Sequence, residues 1–248
     1  MKYQLKKQTN RMVHVFAGGM LLVGIGASSV QANTIMNTDN SFTKLLKENG
    51  FNIGGWVQGG ATYNPSQVHG FNGPVTFSDQ ANRFQLNQLN FFSERGVRTE
   101  GKGWDLGFRA DFMFGTDAIF TQAYGNPAFD VNNGRPLADR GNWDLDICCS
   151  SSRTYGIAIP QAFAEVYAPL ANGLNVKVGH FYTPIGYETV PAPNNFFYSH
   201  AYTMQYGEPF THTGVLGNYK ITKNFTAMLG TIGGSGTGGW DGNFDKQM

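Results

Sequence analysis

Between Trp104 and Phe114 apolar and polar positions alternate. Trp104, Leu106, Phe108, Ala110, Phe112 and Phe114 are apolar, while Asp105, Gly107, Arg109, Asp111 and Met113 stand between them. Successive residues of a strand face opposite sides, so the stretch predicts a strand with one greasy face and one face with charges. A strand of a soluble sandwich rarely turns a tryptophan and several phenylalanines to the same side. A barrel strand in a membrane requires it, with lipid outside and a wet lumen inside.

The same period continues along the chain. A strand is expected from about Asn52 to Tyr63, with Ile53, Val57, Ala61 and Tyr63 opposite Asn52, Trp56, Gln58 and Thr62. Its glycines Gly54, Gly55, Gly59 and Gly60 weaken the pattern. Phe84 to Arg95 is a second strand whose two faces the pattern does not separate. Beyond the Trp104 strand come Ile159–Ala168, Leu174–Thr183, Thr213–Thr222 and a last strand from Phe225 to about Gly233, about seven strands in all. Along Ile159–Ala168, Gln161 and Glu165 share a face opposite Ala162, Ala164 and Val166. A short helix is predicted from Ser41 to Gly50, opened by a Ser, centred on a Leu pair and closed by a Gly.

Connection lengths set the topology. Long segments at 64–82, 115–157 and 184–212 alternate with short turns at 96–103, 169–173 and 223–224. Outer-membrane barrels have long outer loops and short periplasmic turns, and a sandwich has no reason to alternate so regularly. The expected fold is all-β, an antiparallel transmembrane β-barrel with its N-terminus in the periplasm. Single-chain bacterial barrels have even strand numbers. The last strand here runs into a Gly-rich tail, so residues 51–248 read as the N-terminal part of a barrel that is incomplete at the C-terminus.

The beginning of the chain supports export. Lys2, Lys6, Lys7 and Arg11 precede an apolar run from Met12 to Val30, and Val30-Gln31-Ala32 fits a small-x-small cleavage site. Residues 1–32 therefore read as a signal peptide cut after Ala32, and residues 33–50 as a short periplasmic segment. The small residues Gly18, Gly19, Gly24, Gly26, Ala27, Ser28 and Ser29 argue against a permanent anchor. Composition agrees: 33 glycines, 14% aromatic and only 14% charged residues suit girdles, tight turns and lipid-facing strands. A net charge of +1, with no basic-aromatic stripe, gives no reason to expect nucleic acid as a partner.

The expected partners are outer-membrane lipid and small hydrophilic solutes or ions, with association into homo-oligomers left open. Arg109 and Asp111 share the polar face of their strand and read either as pore-lining charges or as a structural network. Glu165, Lys177 and Lys220 are further pore-lining candidates, giving a lumen of mixed sign. In the long segment 184–212, Tyr187, Glu188, Asn195, Tyr198 and Glu208 would line a constriction if the loop folds inward. The plainer reading is an outward loop with aromatic residues at the lipid edge. No cofactor or metal is expected, because the five histidines show no ligand spacing. Adjacent Cys148 and Cys149 cannot staple distant strands. Ser199 and His200 are neighbours with no third catalytic partner in view, so an enzyme is not expected.

One set of residues has a family likeness. Gly179-His180-Phe181-Tyr182-Thr183-Pro184-Ile185-Gly186-Tyr187-Glu188, Pro193-Asn194-Asn195-Phe196-Phe197-Tyr198-Ser199 and Gly207-Glu208-Pro209-Phe210-Thr211-His212-Thr213-Gly214 resemble the OmpL-like β-barrel porins of Gram-negative outer membranes. Gly239-Trp240-Asp241 and the opening Gly54-Gly55-Trp56-Val57-Gln58-Gly59-Gly60 add to it. The resemblance implies a barrel that serves as a passive diffusion channel. A barrel that adheres or binds ligands through its loops, and a soluble secreted β-sandwich, are the competing readings.

Overall fold

A computed structural model of the chain describes residues 30–32, 41–66, 70–72, 75, 77–99, 103–121 and 154–232. The cysteine pair and the Gly-rich tail with Trp240 lie outside the described residues. A three-residue strand β1 (Val30–Ala32) is followed by helix α1 (Ser41–Glu48) and strand β2 (Phe51–Ala61). A small ribbon, β3 (Gly70–Phe71) with β4 (Gln80–Ala81), sits in the connection that follows. The long strands continue as β5 (Phe84–Arg95), β6 (Asp105–Gly115), β7 (Gly156–Ala168) and β8 (Leu174–Tyr182). A five-residue helix α2 (Tyr202–Tyr206) precedes β9 (Thr211–Lys220) and β10 (Thr226–Ile232).

These strands form one eight-stranded sheet in the order β1-β2-β5-β6-β7-β8-β9-β10, each antiparallel to its neighbours. Each long strand pairs with the next long strand in the chain, as an up-and-down barrel wall requires. Among the described residues no pairing joins the first strand to the last, so the sheet is open. No helix among the described residues is long and apolar enough to cross a membrane. The strands match the sequence pattern to within a few residues.

Burial is inverted relative to a water-soluble sheet. Register aligns Phe108, Ala164, Val178 and Val215 on one face. On that outer face Leu106 is 66% and Phe112 41% exposed. The other, inner face carries Asn52, Glu94, Arg109 and Phe163 in one row and Phe92, Asp111 and Gln161 in the next. There Asp111 is 2% exposed and Asn90 is fully buried. Apolar side chains turned outward and ionised ones turned inward are stable together only where the outside is lipid.

Two bulges reset the alternation. Gln58 pairs with Gln88 but Gly59 with Leu86, which leaves Asn87 as the extra residue of β5. This explains why the faces of Phe84–Arg95 cannot be separated by a strict period of two. The repeat Gln85-Leu86-Asn87-Gln88-Leu89-Asn90 has three residues per unit, and the bulge returns Gln88 and Asn90 to the inner face. In β7, Asp111 pairs with Gln161 and Met113 with Ala158, so the extra residue falls at Ile159–Pro160. Proline has no N–H to donate, and a bulge is where a strand tolerates it.

Candidate channel wall and the segment that covers it

The inner face has two zones. Toward the short turns lies a charged network built on Arg109. Its Nε and Nη2 donate to the two oxygens of Asp111 at 2.6 and 3.1 Å, and its Nη1 donates to Glu94 at 2.8 Å. Asn52 donates to the other Glu94 oxygen at 2.9 Å, and Gln161 reaches Asp111 at 3.4 Å. The guanidinium also lies 4.4 Å above the Phe92 ring. Fork-shaped bidentate pairing of this kind fixes geometry as well as charge. On the next two strands, Glu165 of β7 and Lys177 of β8 are register partners. Glu165 accepts from Asn175 at 2.6 Å, whereas the Lys177 ammonium sits 4.2 Å over Phe163 and 5.6 Å over Phe181.

Toward the long connections the inner face is amide-rich and covered. Trp56, Met113 and Ala158 from the sheet pack with Phe77, Ala118, Val190, Ala192, Met204 and Phe210 from three different connections. The rings of Phe77, Phe120 and Phe210 meet at 5.1 to 6.3 Å, one from each connection. Phe77 and Ser78 hold this position with φ of 56° and 46°, left-handed values that a bulky residue adopts only when its surroundings compel it. The segment 183–210 thus lies against the inner face of the sheet. The sequence favoured an outward loop because nothing in its own residues names the strand positions that receive it.

The candidate residues fall into distinct settings. Arg109 and Asp111 are joined in one network, and Glu165 and Lys177 face one another across a strand pair. Lys220 is exposed at the end of β9, opposite Thr226 and apart from these four. In the covering segment, Tyr187 is 98% exposed. Glu188 bonds the His200 ring at 3.1 Å and the Ala201 N–H at 3.0 Å. Asn195 accepts from the Thr189 N–H at 2.9 Å and donates back to the Thr189 carbonyl, closing a local turn. Tyr198 donates to Asn87 at 2.9 Å. Glu208 lies beside Gly186, whose φ of +90° and lack of Cβ leave room for the carboxylate.

Several participants were not singled out from the sequence: Glu94, Asn87, Gln88, Asp117 and the aromatic trio. The one available signal was the run of amides in β5, an unusual content for a membrane strand. Outside the strands, burial pushes the carboxyls of Asp79 and Asp117 up, opposed by a hydrogen bond from Gln85 to the former and by bonds from Gln88 and Asn87 to the latter. Partial burial and the nearby Glu188 raise Glu208. No group of His, Cys, Asp and Glu among the described residues is arranged to hold a metal ion.

A consecutively paired sheet with a lipid-compatible outer face and a polar inner face is the wall of a transmembrane β-barrel. Residues 50–248 match the model of the family described as "Putative beta-barrel porin-2, OmpL-like". The chain belongs to this family, which points to an outer-membrane, porin-like role of transport or structure rather than enzymatic chemistry. No curated protein and no solved structure matches it.

Proposed function

We propose that the protein is an outer-membrane porin, a passive diffusion channel for ions and small hydrophilic solutes, exported through a leader removed after Ala32. The observation that carries this reading is the inverted burial: a charged row through Glu94 and Arg109 on the inner face, and Leu106, Phe108 and Phe112 on the outer one. Asn90 and the Tyr182 hydroxyl, buried polar groups with no protein partner among the described residues, suit a wet interior. Loss of residues 1–32 would free the β2 edge at Gly55–Val57, now paired with β1, for closure of the barrel. Addition of the purified, folded protein to a planar lipid bilayer tests the proposal. Stepwise ohmic current is expected, and a barrel that inserts without conducting would remove the channel.

A second reading is a non-conducting barrel that acts through its loops in adhesion or ligand binding. The packed layer of Trp56, Phe77, Met113, Met204 and Phe210 favours it, because that layer fills part of the interior. The same bilayer measurement separates the two.

A further inference from the structure

We propose that Gln88 is the positioning residue that holds segment 183–210 as a fixed plug against the wall, so that the segment narrows the barrel at a set depth and does not swing as a lid. The inference rests on the channel reading for its consequence, and on geometry alone for the plug itself. Gln88 is fully buried on β5. Its Oε1 accepts from the Trp56 indole N–H at 2.7 Å and from the Ala192 N–H at 3.1 Å. Its Nε2 donates to the Val190 carbonyl at 2.8 Å and to Asp117 Oδ2 at 2.8 Å. A carboxamide offers two acceptor sites and two donors, and all four are used. One side chain therefore joins two sheet strands, the turn after β6 and the backbone of the covering segment.

Neighbouring residues repeat the attachment. Asn87, the bulged residue, accepts from the Tyr198 hydroxyl at 2.9 Å and donates to the other Asp117 oxygen at 3.1 Å. The Tyr198 ring rests on Gly60, where a Cβ would come within 2.7 Å of its hydroxyl oxygen. The bulge is what allows Asn87 and Gln88, adjacent in sequence, to engage the same segment. Opening the segment would break the bonds to the Val190 carbonyl, the Ala192 N–H and the Tyr198 hydroxyl at once, and the buried amides of Gln88 and Asn87 are costly to leave unpaired. A mobile lid is attached more loosely than this.

The test uses the full protein in detergent and in bilayers, with Cys148 and Cys149 replaced by serine and nitroxide labels on cysteines at exposed Phe197 and Lys223. Pulsed electron-spin distance measurement should give one narrow distribution for the parent. Gln88→Ala should broaden it and raise single-channel conductance. Gln88→Glu should broaden it at neutral pH, where the introduced carboxylate faces Asp117 and the Val190 carbonyl. On acidification it should narrow again as the introduced carboxyl regains a proton to donate; Asp117 and His200 also face this site, and the parent at the same pH serves as the control. An unchanged narrow distribution in Gln88→Ala, or a broad one in the parent, overturns the plug. A narrow parent distribution that Gln88→Ala broadens, in a protein that passes no current, upholds the plug and removes only the channel.

Discussion

Arg109 shows how a charge survives inside the wall. It is satisfied by two carboxylates and an aromatic face, so pairing offsets the cost of taking its charge out of water. Arg109→Leu would leave Asp111 and Glu94 without their cation, and breaking a buried pair costs about 3–5 kcal/mol. The variant should lose its compact, heat-modifiable band on detergent gels at a clearly lower temperature than the parent. Asp117 offers a pH test. Its folded-state value lies above the ordinary 3.8, so the folded protein binds the proton more tightly than the unfolded chain does. That contribution is whole below pH 3.8 and is lost as pH rises through the folded-state value. Asp117→Asn should therefore flatten the fall in unfolding free energy with rising pH over that window, measured by denaturant titration in detergent. An unchanged slope would show that the carboxyl does not titrate differently on folding.

Among the strands, β6 is the element whose two faces differ most. Phe108→Arg would put a cation into lipid at a cost of about 2–4 kcal/mol near the midplane, whereas Asp111→Asn keeps the inner face polar. The fraction folding into lipid vesicles should drop for the first and hold for the second; equal tolerance would mean that β6 does not face lipid. Strand existence and facing in β6 were legible because a period of two over many residues has one geometric meaning. The facing of β5 was not. A bulge shifts the period by one residue, and its position depends on pairing with β2, which no local pattern records. Pro160 in β7 marked its bulge in retrospect, since a proline inside a central strand has few other places to be.

At the scale of the whole molecule the alternation of long and short connections places all long segments at one end of the sheet, and three of them meet over its inner face. The orientation expected from that alternation can be checked on intact cells, where a cysteine at Asn195 should be labelled by an impermeant reagent and one at Asn172 should not. Conduction should depend on the charges that the covering segment and the network leave free. Lys177 has no carboxylate within ion-pair distance among the described residues, while Asp111 is locked to Arg109. Lys177→Gln should shift the reversal potential in a salt gradient toward cations, and Asp111→Asn should shift it far less. The Lys177 effect should fade in strong salt, where the screening length falls to about 3 Å at 1 M. Equal shifts would place Asp111 on the permeation path.

The order of polar and apolar residues was enough to define the strands, their up-and-down connection and the lipid-facing side of β6. Those properties follow from backbone geometry and from the solvent on each side, and both act locally. The likeness of Gly179–Gly214 to a porin family came from the same local record. Tertiary structure alone decided that Glu94 completes the Arg109 network, that Phe77, Phe120 and Phe210 meet, and that Gln88 receives Val190 and Ala192 from 102 to 104 residues away. Contacts at such separations depend on which surfaces the chain brings together, and a side chain's own neighbours in sequence carry no trace of them.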